Sequence, residues 1–460
     1  MKYYSLQFKK YLLLLGDIGI LYVSLYLTLL VRYGNETMPR QWPDHIGPFT
    51  AVFILWLLIF YISNLYDLTI AINNAKFYTH TALALFFSFL LGSAFFYLMP
   101  NLNIAPKRNL LIDIVITAAL FLIWRQIYNK TLKSYLPKNK IAIIGYNEKT
   151  KELIKYFNDN PHLGLRISFV LYKGDIYERG LYEVKHYKDI ANIKKYLLEH
   201  KISSVILTDD AQTSNEIRSN LFDCLHLGIN FSSLPNFYEK ITGKIPVESI
   251  NQMWFLENLQ EGGKSWFDKI KRVYDIIIAL FIFLITLPFW PIIAAIIKIE
   301  SRGTIFYRQE RAGKNNRPIN LIKFRTMREE GNTGRPTVPN DARITKFGYF
   351  LRNTRIDEIP QVINILKGEM SLIGPRPERP NLASQLQEQI PFYNERTLVK
   401  PGISGWDQVC GEYHSPTVED TVKKLQYDLY YIKNRSLFLD LVIMLKTIRT
   451  VLLGRDASGG

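Results

Sequence analysis

Four apolar runs near the start of the chain constrain its fold more than any other feature. Tyr11–Val31, Phe49–Leu65 and Phe77–Met99 are each about the ~20 residues needed to cross a bilayer, and Leu110–Trp124 is a shorter fourth. Lipid offers no partners for backbone N–H and C=O groups, so such runs close their hydrogen bonds internally as helices. Tyr and Trp recur near their ends, as interfacial anchors would. Lys2, Lys9 and Lys10 precede the first run, and Arg125, Lys130, Lys133, Lys138 and Lys140 follow the fourth. With an even number of spans both basic flanks share one side, and the positive-inside tendency makes it cytoplasmic. Lys107 and Arg108 run against that tendency. Asp17, His80 and Asp113 lie in or near the spans and are expected to hydrogen-bond between helices of the bundle.

A fifth apolar stretch, Val273–Ile299, is long enough to span but does not read as a span. Pro288 and Pro291 fall in its middle, where each removes a helix hydrogen bond. Lys264, Lys269, Lys271 and Arg272 flank it on one side, and Lys298, Arg302 and Arg308 on the other. Symmetric positive flanks put both ends on the cytoplasmic face. The expectation is a re-entrant helix broken at Pro288 and turning back.

Between these membrane segments the pattern becomes α/β. Lys140–Gly145 reads as a buried strand ending in a glycine turn, 149–157 as a helix, Ile167–Leu171 as a strand, 190–199 as a helix and Ser204–Thr208 as a strand. This is a Rossmann-like unit with a degenerate fingerprint. Tyr146, Asn147 and Glu148 follow Gly145 where further glycines would let a pyrophosphate approach. The 460 residues therefore divide into a four-span bundle (1–137), a degenerate Rossmann-like domain (138–262) and a third, α/β domain (263–460).

The net charge of +16 suits a membrane surface or anionic substrates, and no nucleic-acid module is evident. Cys224 and Cys410 have neither disulfide-framework nor zinc-type spacing. The first apolar run is too long for a cleavable signal, and 457–460 reads as a flexible tail.

The chemistry concentrates in Thr354-Arg355-Ile356-Asp357-Glu358-Ile359-Pro360. Pro360 suits the first turn of a helix that Gly368 ends, which puts Asp357 and Glu358 at its N-terminus. There the helix dipole favours an ionised carboxylate able to act as a nucleophile or a metal ligand. From Arg302 to Glu378 there are 15 Lys/Arg against 8 Asp/Glu. Carboxylates in cationic surroundings suit phosphate together with a divalent metal. The competing reading is a helix cap paired with Arg352 or Arg355.

The run belongs to an ordered set: Phe306–Gly313, Leu321–Met327, Asp341–Gly348, Asp357-Glu358, Gly374-Pro375-Arg376-Pro377, Pro401–Trp406, and Tyr427–Ser436 leading to Asp440. This set resembles the bacterial sugar transferase family, the monotopic phosphoglycosyl transferases (polyprenyl-phosphate hexose-1-phosphate transferases). The spans and degenerate α/β unit ahead of it resemble the long-form members. The resemblance implies transfer of sugar-1-phosphate from a UDP-sugar to undecaprenyl phosphate, with release of UMP, at the cytoplasmic face of the bacterial inner membrane. It gives Asp357 the role of nucleophile and Glu358 that of partner carboxylate, both near Mg²⁺. Lys323, Arg352 and Arg376 match phosphate-neutralising positions, with Arg376 on a backbone stiffened by two prolines. Pro401, Gly402, Gly405 and Trp406 form a rigid turn expected near the nucleotide. Asp428, Tyr430 and Asp440 match the pattern as structural residues, and long-form relatives imply a homodimer. Leu287, Asn315-Asn316, Ser404 and Asp407 depart from the usual pattern. Competing readings are a membrane-anchored NAD-dependent nucleotide-sugar dehydratase or epimerase, which needs the missing glycines, and a non-enzymatic scaffold, which leaves the ordered motifs unexplained.

Overall fold

A computed structural model of the chain describes residues 4–63, 65–66, 75–99, 106–135, 139–160, 165–174, 184–208, 211, 214–259, 264–328, 341–410 and 417–453. The domain boundaries expected at 137/138 and 262/263, and the tail at 457–460, lie outside the described residues. The chain divides into two compact units, Met1–Leu234 and Pro235–Gly460.

The first unit opens with α1 (Tyr4–Ile62), α2 (Ala75–Leu98) and α3 (Pro106–Tyr135). α1 is two helices joined at Gly34, whose φ of 71° and ψ of 172° are not helical. Tyr22 and Thr50 share a hydrogen bond of 3.0 Å although 28 residues separate them. A straight helix would hold them roughly 40 Å apart, so the chain folds back at Gly34. Leu21, Leu25 and Leu29 of one arm pack against Phe49, Val52, Phe53 and Trp56 of the other. The first two expected spans are these arms. Lys10–Ile62, Phe77–Leu98, Arg108–Lys130 and Ser265–Glu300 are each long and apolar enough to cross a membrane by length and composition.

The ionisable groups of the bundle bond between helices, as expected. Asp17 and Arg125 form a fully buried ion pair at 2.7 Å. Asp113 accepts from Ser24 at 2.7 Å and Thr28 at 3.4 Å. His80 Nδ1 lies 3.1 Å from the carbonyl of Ser63.

The rest of this unit is a parallel five-stranded sheet. β1 (Asn139–Ile144), α4 (Glu148–Asp159), β2 (Leu165–Leu171), β3 (Lys185–Tyr187), α5 (Ile193–Glu199), β4 (Ser204–Leu207), α6 (Asn215–Phe222) and β5 (Asn230–Ser233) follow in order. The strand order is β3-β2-β1-β4-β5. Ala142, Ile144, Phe169 and Val205 form its dry centre. Gly145 has a φ of 95°, and a Cβ there would sit 1.8 Å from Thr208 Oγ1. The Asn147 side chain accepts from the N–H of Thr150 at 2.9 Å, so the N-terminus of α4 is capped by the chain itself.

The second unit begins its apolar segment with α7 (Ser265–Thr286), passes through a 3₁₀ turn at Leu287–Phe289, and continues as α8 (Trp290–Glu300). Pro288 lies in that turn. Pro291 falls in the first turn of α8, where a missing N–H costs nothing, so the 3₁₀ interruption coincides with Pro288. Both ends are fastened to this unit. Arg272 donates to the carbonyls of Ile365 and Leu366, and Asp275 accepts from the N–H of Leu372 at 3.1 Å. At the far end Glu300 accepts from the N–H of Phe347 at 3.0 Å, and Ile297 packs with Phe324 and Leu351. Between these anchors Phe281, Leu284, Ile285, Phe289 and Ile292 stand exposed.

Beyond it lie β6 (Phe306–Ala312) and β7 (Pro318–Phe324), paired antiparallel, then α9 (Lys346–Asn353) and α10 (Val362–Lys367). β8 (Ser371–Ile373), α11 (Pro380–Gln389), β9 (Gly402–Ser404), α12 (Val418–Asn434) and α13 (Leu437–Leu453) complete the unit, with β8 and β9 parallel. Asn315 and Asn316, in the β6–β7 turn, have φ of 53° and 59°. This is left-handed backbone that Asn tolerates where glycine is the usual solution. One core joins Ala279 of α7, Leu321 of β7, Ile365 of α10 and Leu429 of α12. Ile245 and Val247 also belong to it.

Candidate active site

Asp357 and Glu358 occupy a 3₁₀ turn, Ile356–Gln361, that runs directly into α10. The α-helix therefore starts at Val362, two residues after Pro360, rather than at Pro360 itself. Arg355 ahead of the turn is left-handed at a φ of 58°, and Gly368 at a φ of 86° ends α10. A non-glycine residue held there costs of order 1 kcal/mol, which the packed turn sustains. Each carboxylate is only 7% exposed.

Glu358 gathers two cations from two directions. Lys323 Nζ, from β7, donates to Glu358 Oε1 at 2.6 Å, and Arg376 Nη2 donates to the same oxygen at 2.9 Å. Burial pushes the Glu358 carboxyl up, but Arg376 and Lys323 outweigh it and hold it well below the usual carboxylate range. Burial lowers Lys323 below the ordinary ammonium value, while Glu358 raises Arg376. The hydrogen-bonded cations of Glu358 are thus distant in sequence, and the neighbouring Arg355 adds to their pull.

Asp357 differs from its neighbour. Its Oδ1 is buried with no hydrogen-bond partner among the described residues. Burial first, and the Glu358 charge second, push its carboxyl up to about 6, against the pull of Lys323, Arg352 and Arg355. Burial raises the carboxyl above the usual carboxylate range, yet at about 6 it is still mostly ionised at neutral pH, as a nucleophile requires. Arg352 donates from Nε to Thr326 Oγ1 at 2.9 Å and faces Asp357 electrostatically.

The glycine and proline motifs shape the backbone around Arg376. The N–H of Gly402 donates to the carbonyl of Pro375 at 3.0 Å, and that of Gly374 to Ser404 at 2.9 Å. A Cβ on Gly402 would lie 2.1 Å from Gly374 N, and one on Gly405 would lie 2.9 Å from Gly374 O. Close backbone approach thus fixes the segment after β8 from which Arg376 projects. Pro401, with Gly313, Asn316, Arg376, Tyr393 and Arg396, lines a shallow cleft. Trp406 faces elsewhere: its indole donates to the carbonyl of Gly243 at 3.0 Å and stacks on Tyr430. Asp440 accepts from Lys271, Tyr274 and Tyr431, tying α13 to α7 and α12.

Two supporting residues carry no local sequence signal. Asn364, fully buried in α10, accepts from the N–H of Ile322 at 3.2 Å and donates to the carbonyl of Asn320 at 2.8 Å. It locks β7, and with it Lys323, beside the carboxylate turn. Arg396, 5% exposed, donates to the carbonyl of Arg376 at 2.9 Å and pairs with Asp428 at 2.7 Å.

Comparison with known proteins identifies relatives of the chain. The family model described as bacterial sugar transferase matches residues 266–454. A UDP-N-acetylgalactosamine-undecaprenyl-phosphate N-acetylgalactosaminephosphotransferase of Aeromonas hydrophila is 38% identical over 250 residues, 54% of this chain and 58% of that protein. A UDP-glucose:undecaprenyl-phosphate glucose-1-phosphate transferase of Klebsiella pneumoniae is 33% identical over 328 residues, 68% of this chain and 67% of its own length. The exopolysaccharide production protein PSS of Rhizobium leguminosarum bv. phaseoli is 36% identical over 187 residues, 39% of this chain and 93% of that protein. The chain thus spans 58% of the Aeromonas relative and about two thirds of the Klebsiella one. The chain belongs to the bacterial sugar transferase family.

Proposed function

We propose that this chain transfers sugar-1-phosphate from a UDP-sugar to undecaprenyl phosphate and releases UMP. The observation that carries the reading is a buried carboxylate pair in which Asp357 keeps an unpartnered oxygen while Glu358 holds Lys323 and Arg376 in place. An oxygen of Asp357 attacks the β-phosphorus of the donor, and the bond to the UMP oxygen breaks. The aspartyl phosphosugar so formed is attacked by the phosphate of undecaprenyl phosphate. A diphosphate bond forms, and the Asp357 carboxylate is regenerated. Phosphoryl transfer needs mainly positioning and charge neutralisation, which Lys323, Arg376 and Arg352 supply. Glu358 stays ionised and anchors Lys323 and Arg376 beside the donor diphosphate.

The carboxylate pair fits Mg²⁺, which is commonly held by one or two carboxylates plus substrate phosphates. The open Oδ1 of Asp357 and the Glu358 carboxylate would hold it, and the ion would neutralise developing charge on the diphosphate.

The apolar α7–α8 segment is read as a re-entrant hairpin. Both of its ends are tied to the same unit and its middle is exposed, which supports entry and exit on one face. The parallel sheet of order β3-β2-β1-β4-β5 is read as a degenerate Rossmann-like domain, its phosphate position taken by the Asn147 cap. In this reading the chain sits in the bacterial inner membrane with the transferase domain at the cytoplasmic face, within the three-part organisation 1–137, 138–262 and 263–460, and works as a homodimer that starts polysaccharide assembly.

The test is purified full-length protein with a panel of UDP-sugars, undecaprenyl phosphate and Mg²⁺, followed by UMP release. UMP appears with one or a few sugars, and Asp357→Asn abolishes it. Release of UDP in place of UMP, or no turnover with any donor, overturns the proposal.

A further inference from the structure

Arg396 and Asp428 touch neither carboxylate of the proposed site, yet they are among the most buried charged groups in the chain. They lie on separate elements. Arg396 is in a 3₁₀ segment, Tyr393–Leu398, and Asp428 is in the middle of α12. The guanidinium of Arg396 has four partners. Nη2 lies 2.7 Å from Asp428 Oδ2 and donates to the carbonyl of Arg376 at 2.9 Å. Nη1 donates to Tyr393 Oη at 2.7 Å and lies 3.8 Å from Glu378 Oε1. Glu378 is itself bonded by Lys424 from α12.

Three of these partners lie within or beside the Pro375–Glu378 segment or the cleft it borders. The contact with Arg376 is to its backbone. The side chain of Arg376 leaves that backbone for Glu358. One buried cation, fixed from behind by Asp428, therefore sets where the Arg376 peptide lies and how far its guanidinium reaches. Prolines on both sides of Arg376 restrict its backbone further. A buried arginine spreads its donors over a fixed planar fork and so reaches a carboxylate, a carbonyl and a hydroxyl in different directions, a geometry that the compact ammonium of lysine does not reproduce.

We propose that Arg396, held by Asp428, is a positioning residue for Arg376 and thereby for the donor diphosphate. Arg396 acts through Arg376 and makes no contact of its own with the reacting atoms. The inference rests on the proposed transferase activity, and the experiment separates the two.

The measurement is a double-mutant cycle on UMP release by the full-length protein, with the donor and acceptor KM determined separately and apparent Tm followed in parallel. Arg396→Gln is made alone and on an Arg376→Gln background, with Asp428→Asn as a second probe. Loss of a charge-assisted hydrogen bond predicts a fall in kcat/KM for the donor of about 10-fold or more. The fall is expected in donor KM, with acceptor KM unchanged, and it is expected to vanish once Arg376 is already gone. Arg396→Lys should restore the pairing with Asp428 but not the donor KM. Should Arg396→Gln fail to fold, Arg396→Lys and Asp428→Asn carry the same cycle. An equal loss on both backgrounds, a loss shared by the acceptor KM, or no loss at all overturns the inference. Absence of UMP release by the unmodified protein instead overturns the activity on which it depends.

Discussion

Replacing Asp357 by Asn should abolish turnover and, at neutral pH, make the protein more stable. The carboxyl is buried beside a second negative charge, and its pKa is raised from 3.8 to about 6. A gap of that size corresponds to roughly 3 kcal/mol at 1.36 kcal/mol per unit. The sign follows from proton binding. Below 3.8 the group is protonated in folded and unfolded chains alike, and it contributes nothing. Between 3.8 and about 6 the unfolded chain releases the proton while the folded one keeps it, so stability falls as pH rises. Above 6 the full cost of ionising Asp357 in the folded protein is present. Asparagine has the same shape and never ionises, so it escapes this cost. For a domain of this size, roughly 3 kcal/mol raises apparent Tm by roughly 6–12 °C. Thermal unfolding of both proteins at pH 7.5 and at pH 4, in detergent with EDTA to remove divalent ions, checks this. The gain should be present at the higher pH and nearly absent at the lower. A variant no more stable at pH 7.5, or one whose advantage is the same at both pH values, would refute the reasoning.

Three further outcomes follow from neighbouring contacts. Glu358→Gln leaves Lys323 and Arg376 beside each other without the carboxylate they share. It should therefore lose about 2–4 kcal/mol at neutral pH along with activity, measured by thermal unfolding and UMP release. Asn364→Ala leaves the N–H of Ile322 and the carbonyl of Asn320 without their side-chain partner, and denaturant unfolding should show a loss of about 2 kcal/mol. Single cysteines at Trp266 and Gly303, placed in a variant lacking Cys224 and Cys410, should react with a membrane-impermeant maleimide from the same face of sealed vesicles. Labelling from opposite faces contradicts the hairpin.

The sequence announced what local pattern controls. Apolar runs gave the helices of the bundle, and the β1, β2 and β4 strands each carry a run of buried apolar residues. β3 and β5 were not anticipated. They are three and four residues long, Lys-His-Tyr and Asn-Phe-Ser-Ser, and pairing along the sheet edges rather than intrinsic preference makes them strands. The carboxylate pair and its cations were legible as motifs, but the partners were not. Lys323, Arg376 and Glu358 come from β7, a proline-rich segment after β8 and a 3₁₀ turn, and nothing in spacing says that one oxygen serves both cations. Asn364 and Arg396 were invisible because each acts on backbone that is distant in sequence. Trp406 carries the opposite lesson. It sits inside the motif expected near the nucleotide, yet its indole is committed to Gly243 and Tyr430.

The shared oxygen of Glu358 has a consequence for how the proposed reaction cycles. Before any donor arrives, Lys323 and Arg376 already rest on an anion that the fold supplies, so neither cation waits unpaired. An incoming diphosphate must out-compete that internal substitute, and its affinity reflects only the difference between the two. When UMP departs, the carboxylate is already within reach to take the cations back, so product leaves a site that closes its own electrostatic gap.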